Sequence, residues 1–305
     1  MKNKQIGMLM GGGNSEHEVS LRSGAALAGA LRRRGYRVTD VVVGSDLARQ
    51  LVEQKIEVAF VALHGRWGED GCVQGLLECL RIPYTGSGVL ASALSMDKIM
   101  AKKIFRLHGL PLAEEVVLEK SQTAGFGAKR LPFGLPAVIK PSREGSSVGV
   151  TIVRSEEQLA GALAEAARWA GDILIEKFVP GRELSVAVLE GQALGVIEIR
   201  PATEFYDYRA KYHSGGTTKY LYPAPIAESE RAEAMRLAAE AFRALGCRGV
   251  ARVDMILGTQ GLVVLELNAI PGMTEASLVP KIAAGVGISF DDLAERLLLG
   301  ASLKA

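Results

Sequence analysis

The chain has 305 residues, more than one ordinary domain, so two or three domains are expected. Its hydrophobic share of 48% and charged share of 23% are those of a globular enzyme, and a net charge of +2 gives no general case for nucleic acid or an anionic membrane. Three cysteines, Cys72, Cys79 and Cys247, without C-x-x-C spacing argue against a disulfide framework or a zinc ribbon and fit a reducing cytosol.

In chain order, the first part alternates strand and helix. The first ten residues put a short apolar run behind basic ones, a superficial likeness to a signal peptide. The run ends at once in Gly11, Gly12 and Gly13, so residues 6–10 are predicted to be a strand. A Gly-rich loop, a helix to about residue 34 and a stop at Gly35 follow. Residues 37–43 and 58–63 are further strands, and 71–80 is a helix that ends before Pro83. This alternation implies an open, largely parallel α/β sheet, whose ligands gather at the carboxyl ends of its strands. The polar, Gly-rich loops 11–15 and 64–71 stand at such ends.

A helix over 96–108 comes next, with Ser95 as N-cap, Gly109 as stop and Pro111 beyond. A β-rich segment then holds strands 115–118, 137–140 and 150–153, a capping-box start Ser155-Glu156-Glu157-Gln158 for a helix to about 169, and a strand over 172–176. A hairpin over 184–189 and 193–199 turns at Glu190-Gly191. Residues 203–225 form a long polar and aromatic loop, of a kind that is usually functional or disordered. A helix over 231–245, an apolar hairpin over 252–268 and a helix over 290–299 close the chain. The domains are placed at 1–94, 95–183 and 184–305. No run is long and apolar enough to span a bilayer.

The hairpin 252–268 concentrates polar chemistry on an apolar frame. Strand side chains alternate faces, so Arg252 and Asp254 share a face, as do Glu266 and Asn268. With a three-residue loop over 259–261, Asp254 pairs opposite Glu266, Arg252 opposite Asn268, and all four point the same way. A slip of one residue would separate the two sets. Two carboxylates and an amide oxygen suit Mg²⁺, which keeps waters and shares its shell with substrate phosphates, and the adjacent Arg252 suits developing negative charge. The alternative is a half-buried hairpin with a solvated polar face; the continuation into Pro271-Gly272-Met273-Thr274, a loop suited to close ligand approach, speaks against it.

Two further segments carry chemistry. In 140–149 a strand-borne Lys140 is followed by a Gly/Ser turn whose N–H groups and hydroxyls suit phosphate oxygens; the alternative is a surface hairpin loop. Glu176 ends an apolar run and is followed by Phe178 and Val179, a setting for an adenine amine and ring, with Glu183 placed for ribose hydroxyls; a strand ending in Glu is also common without a ligand. No Walker-type G-x-x-x-x-G-K-[ST] and no H-E-x-x-H occur, and 11–16 fails the dinucleotide fingerprint because Glu16 stands at its third glycine.

Four motifs then stand in order: GGNSEHEVSLRS at 12–23, HGRWGEDGCVQG at 64–75, KPSREGSSVGV at 140–150 and ELNAIPGMTEASLVP at 266–280, with YTGSG at 84–88 and SMDK at 95–98 between them. In these the chain resembles the D-alanine–D-alanine ligases of the ATP-grasp superfamily, from about Ile6 to its last residues. The resemblance implies three domains: an N-terminal open parallel α/β domain, and central and C-terminal α+β domains that hold ATP between them. It implies that Lys98, Lys140 and Lys211 contact phosphates, with Ser147 supporting the loop over them. Glu176, the backbone of Lys177, Phe178 and Val179, and Glu183 would hold adenosine. Asp254, Glu266 and Asn268 would bind two Mg²⁺ (or Mn²⁺) ions.

The implied reaction joins two D-alanines through an acyl phosphate. Glu16 would take the first ammonium, with His64 nearby. Arg252 and the Gly272 N–H would hold the oxyanion, and Ser277 and Leu278 the second carboxylate. Tyr212 would close the 203–225 lid, linked to Ser146 and Glu16; a tyrosine there favours an amine nucleophile, where related D-lactate ligases carry His. A cytoplasmic homodimer serving peptidoglycan synthesis in a walled bacterium is implied as well, with no nucleic-acid or membrane partner. Two departures stand out: Trp67 interrupts a glycine-rich spot, and Ala269 replaces a common Thr. The competing readings are another ATP-grasp carboxylate–amine ligase and a nucleotide-binding protein without turnover.

Overall fold

A computed structural model describes residues 1–14, 16–201 and 218–304. The first part runs β1 (Gln5–Gly11), α1 (His17–Arg33), β2 (Arg37–Val43), α2 (Leu47–Glu53), β3 (Val58–Val61) and α3 (Cys72–Cys79). The strands pair in parallel with β1 central, in the order β2-β1-β3. Strand β1 is covered on both faces, as parallel strands are. Ile6 and Met8 pack with Leu27 and Leu31 of α1, while Leu9 on the other face packs with Leu51 and Leu77. Helix α2 is absent from the sequence expectation because only Leu47 and Leu51 in its seven residues are buried, too few to set a period.

The helix expected over 96–108 is α5 (Lys98–Leu107), and a helix not expected, α4 (Val89–Met96), runs into it. The two part at Asp97, whose extended backbone and Oδ1, accepting from the Ile99 and Met100 amides at 3.1 Å each, cap α5. Ser95 is not the cap: it lies inside α4 and its hydroxyl donates to the Ala91 carbonyl at 2.7 Å. A carboxylate is the stronger partner for a helix N-terminus, and only Asp97 has the non-helical backbone a cap needs.

A four-stranded antiparallel sheet follows, built from β4 (Glu115–Leu118), β5 (Ala137–Pro141), β6 (Thr151–Val153) and β7 (Ile173–Lys177) in the order β4-β7-β5-β6. Helix α6 (Glu156–Ala167) lays Leu159 and Leu163 on Ile139 and Ile175. It opens at the predicted capping box, where Gln158 Oε1 accepts from the Ser155 amide at 3.3 Å.

The last sheet holds β8 (Gly181–Leu189), β9 (Gln192–Arg200), β10 (Lys219–Leu221), β11 (Val250–Gly258) and β12 (Gly261–Asn268), antiparallel in the order β10-β9-β8-β11-β12. Its β8–β9 turn sits at Glu190 and Gly191 as expected, both with φ positive, +51° and +82°. The loop expected over 203–225 is not continuous: 218–225 are described, and Lys219–Leu221 add β10 to the sheet edge. One face is covered by α7 (Glu228–Ala244) through Leu237 and Ala241. The other is covered by α8 (Leu278–Gly285) and α9 (Phe290–Leu299), whose Leu293 and Leu297 also join the core of α1. The first and last parts of the chain thereby share one core.

Glu198 on β9 carries a linked prediction. Its side chain is 3% exposed and lies between two arginines. Arg182 donates to it at 3.0 and 2.6 Å and Arg200 at 2.9 and 3.1 Å. The Arg182 hydrogen bonds, aided by Arg200, outweigh burial and hold the carboxyl at about 2, below its usual 4.5. A depressed acid stabilises the fold above its unfolded value and loses that contribution as pH falls toward the folded one. Both arginines are partly exposed, so Glu198→Gln is expected to cost about 1–2 kcal/mol at pH 7. Urea midpoints of the two proteins should converge as pH falls from about 5 toward about 2.

Candidate active site

The hairpin of β11 and β12 sets the centre of the site. Asp254 pairs opposite Glu266 and Arg252 opposite Asn268, the expected register. The route to it differs from expectation. The turn is two residues, Thr259 and Gln260, between the paired Gly258 and Gly261, and the extra residue is a bulge at Leu265. Before the bulge, Leu262 and Val264 face the core; after it, Leu267 and Ala269 do. The bulge reverses the strand's phase and puts Glu266 and Asn268 on the site face, which regular alternation from Val264 would deny to Glu266.

The four side chains are tied down. Arg252 donates to Asp254 through Nε at 2.9 and 3.1 Å and through Nη2 at 2.8 Å. Ser185, Asp254's partner across β8, donates to its Oδ1 at 2.7 Å. Lys98 at the start of α5 pairs with Glu266 at 3.2 Å and donates to the Glu144 carbonyl at 2.6 Å. Asn268 Oδ1 accepts from the Ile270 amide at 2.9 Å.

Three cavities meet at this hairpin. A cleft of about 490 Å³ is lined by Lys98, Lys140, Ser147, Glu176, Lys177, Phe178, Val179, Glu183, Asp254 and Glu266, which unites the predicted nucleotide residues among those described. Its volume suits a nucleotide. Lys140 and Glu176 are buried and paired. Burial would lower the Lys140 pKa, but Glu176 outweighs it and holds the ammonium above the usual lysine value. Burial would likewise raise Glu176, but Lys140 and Lys102 hold it below the usual carboxylate range. The Lys177 and Phe178 amides are engaged inside the protein, donating to the Glu114 and Pro136 carbonyls at 2.9 and 3.1 Å. The turn beside Lys140 bends through Ser146 and Ser147 at φ +50° and +61°, a left-handed backbone that non-glycine residues rarely adopt.

A small pocket of about 60 Å³ gathers Glu16, His64, Ser146, Arg252, Glu266, Asn268 and Gly272. Glu16 stands at the N-terminal end of α1, beyond the carboxyl end of β1, where open sheets bind ligands. Ser146 donates to its carboxylate, which is the Ser146–Glu16 half of the expected link to Tyr212. A Cβ at Gly65, which has φ +68°, would come within 2.6 Å of Glu16 Oε2 and one at Gly145 within 3.0 Å, so both loops approach this carboxylate closely and a side chain at either would displace it. His64 is at the wall, but both its ring nitrogens are engaged, Nδ1 with the Ile270 carbonyl at 3.0 Å and Nε2 with Ser23 Oγ at 3.1 Å. Ser23 Oγ also accepts from the Met273 amide at 3.2 Å. His64 therefore fixes the loop that carries Gly272. Trp67 stands at φ +74°, a left-handed backbone that glycine adopts more readily than tryptophan.

A third cavity of about 370 Å³ is lined by Arg22, Arg252, Asp254, Gly272, Thr274, Ser277 and Leu278. Ser277 is the N-cap of α8 and Leu278 its first residue, so a helix N-terminus opens on this pocket and suits a carboxylate. Lys211 and Tyr212 lie outside the described residues.

Sequence reasoning missed three contributors. Lys102 and Ser185 support Glu176 and Asp254 from behind, and Arg22 lies on α1 one turn past Val19 at the third cavity. Lys98 to Lys102 is a four-residue step on one helix, the signal that could have found the second lysine. The hairpin offers only oxygen donors for a cation. Among the described residues, no three His, Cys, Asp or Glu gather to hold a metal alone. Two carboxylates and one amide fit a Mg²⁺ that completes its shell with water and phosphate oxygens.

Known proteins resemble this chain in sequence and fold. Residues 44–87 match the family model described as D-ala D-ala ligase N-terminus, and 104–299 the one described as D-ala D-ala ligase C-terminus. The D-alanine–D-alanine ligase of Anaeromyxobacter sp. (strain Fw109-5) is 57% identical over 303 residues, covering 99% of this chain and 98% of that protein. That of Syntrophotalea carbinolica is 50% identical over 304 residues, covering 100% and 98%. The crystal structure of the Bacillus anthracis D-alanine–D-alanine ligase complexed with ATP superposes with a TM-score of 0.85 at 33% identity, covering 97% of each chain.

Proposed function

The chain belongs to the D-alanine–D-alanine ligase family, and from that premise we propose how its three cavities divide the reaction. The enzyme is an ATP-dependent ligase that joins two D-alanines to D-alanyl-D-alanine for peptidoglycan synthesis. The observation that carries the assignment of roles is that all three cavities share walls at the hairpin. Asp254 borders the nucleotide cleft and the third cavity, Glu266 the cleft and the small pocket, and Arg252 the small pocket and the third cavity.

ATP lies in the large cleft, its adenine against Glu176 and Phe178, its ribose at Glu183, and its phosphates at Lys98, Lys140, Lys211 and the Ser147 turn. Asp254, Glu266 and Asn268 hold Mg²⁺ or Mn²⁺, which neutralises phosphate charge. The first D-alanine occupies the small pocket with its ammonium at Glu16. One of its carboxylate oxygens attacks the γ-phosphorus, the bond to the β-phosphate oxygen breaks, and ADP and an acyl phosphate result. Such transfer asks mainly for positioning and charge neutralisation, which the lysines supply.

The second D-alanine enters the third cavity, its carboxylate at Ser277 and the N-terminus of α8. Its neutral amine attacks the acyl carbonyl, Arg252 and the Gly272 N–H hold the oxyanion, and collapse expels phosphate and leaves the peptide bond. Asp254 grips one edge of Arg252, so the guanidinium plane is set before charge develops. On the same reading Tyr212 would favour an amine over a hydroxyl nucleophile. Tyr212→His should raise the ratio of depsipeptide to dipeptide when D-lactate competes with D-alanine; an unchanged product ratio removes Tyr212 from the selectivity.

The division into 1–94, 95–183 and 184–305, a homodimer and a cytoplasmic site of action belong to the same reading; no described helix is long and apolar enough to cross a membrane. The test is ADP release with Mg²⁺-ATP and D-alanine, with L-alanine as control and mass detection of the dipeptide. Release that ignores the stereoisomer, or yields no dipeptide, overturns the substrate.

A further inference from the structure

Glu176 is gripped by two lysines, and only Lys140 lines the nucleotide cleft. Lys102 reaches Glu176 from behind, from α5, with 1% of its side chain exposed. Burying a lysine that deeply is costly unless carboxylates surround it. Its second partner is Glu115, at 3.0 Å. Glu115 and Glu176 are direct cross-strand partners in the β4–β7 ladder, an arrangement that two like charges disfavour. Lys102 sits between them, and Arg106, one turn further along α5, takes the other oxygen of Glu115 at 2.7 Å. A line of cations on α5 thus holds a pair of opposed carboxylates, one of which faces the cleft.

We propose that Lys102 is a positioning residue that sets the enzyme's choice of purine, by holding Glu176 fixed and charged at the wall where the base lies. This rests on the reading of the large cleft as the nucleotide site. A fixed carboxylate only accepts hydrogen bonds, so it attracts the 6-amino group of adenine and repels the 6-oxo group of hypoxanthine or guanine. Lys140 alone cannot enforce this, because it lines the cleft, where the phosphates of a bound nucleotide would compete with Glu176 for its ammonium. With Lys102 gone, Glu176 has a buried like charge opposite and one shared cation, and it loses both its orientation and its rejection of a 6-oxo base.

The test compares kcat/KM for ATP and ITP, which differ at the 6-position, in the wild type, Lys102→Met and Lys102→Arg. ATP is expected to lead strongly in the wild type. Lys102→Met should lower kcat/KM for ATP by about 10- to 100-fold, mainly through KM, the scale of one charge-assisted hydrogen bond. ITP should fall less, so the ATP-to-ITP ratio drops by about tenfold or more, and Lys102→Arg should restore most of it. Should Lys102→Met fail to fold, the pair Lys102→Gln with Glu115→Gln removes one charge of each sign and carries the same comparison. Parallel loss with both nucleotides, at an unchanged ratio, overturns the role of Lys102 and leaves it a structural cation. A wild type that turns over neither nucleotide overturns the ligase reading instead.

Discussion

Glu266→Gln is expected to lower Mg²⁺-ATP turnover by about 100- to 1,000-fold while the fold stays intact, the scale on which one aimed charge acts on a transition state. The carboxylate borders both the nucleotide cleft and the small pocket. Glutamine keeps its size and one oxygen, so packing is preserved. The charge that would hold the cation and balance Lys98, 3.2 Å away, is lost. Asp254→Asn should show a similar loss with some instability added. Asp254 is the bidentate partner of Arg252, and both side chains are largely buried, at 10% and 15% exposure. Weakening one member of a buried pair leaves the other uncompensated. Steady-state ADP release with rising Mg²⁺, beside circular dichroism, checks both variants. Turnover at the wild-type level in the two folded proteins would remove the hairpin as the cation site.

Arg252→Met should reduce kcat by about 100- to 1,000-fold with little change in KM for ATP, as loss of an oxyanion donor does. The reason is position: Arg252 lines the small pocket and the third cavity but not the nucleotide cleft. Its loss therefore falls on amine attack at the acyl phosphate more than on nucleotide binding. Trapping with hydroxylamine separates the halves, since the acyl phosphate should still form and be captured as the hydroxamate. A raised KM for ATP at an unchanged kcat would assign Arg252 to the nucleotide instead.

Much of this site is readable in the sequence because strand alternation is a rigid rule. The facing of Arg252, Asp254, Glu266 and Asn268 follows from it once the residue count between the strands is known. The count does not tell where the extra residue sits, and a three-residue loop and a two-residue turn plus bulge give the same pairing. The side chains behind the site are harder to see. Lys102 reads as a surface lysine on an amphipathic helix, and only its ion pairs with Glu115 on β4 and Glu176 on β7 reveal that it is buried. His64 looks like a substrate contact by its loop position, yet its ring nitrogens are used on Ser23 and Ile270, two contacts made by segments far apart in the chain. Helices α2 and α4 are not legible because short helices leave too few apolar positions to distinguish one period from another.

The extra residue at Leu265 has a consequence for how this hairpin tolerates changes of length. Inboard of it, Arg252 and Asp254 are registered by β8, through Ala187 and Ser185. Outboard, the turn at Thr259 and Gln260 only joins two strand ends. A peptide tag spliced into that turn should leave the catalytic face undisturbed, whereas removing Leu265 would force β12 to choose between seating Val264 in the core and presenting Glu266 to the cation. Gaps between related sequences should accordingly gather at the turn and be excluded from position 265.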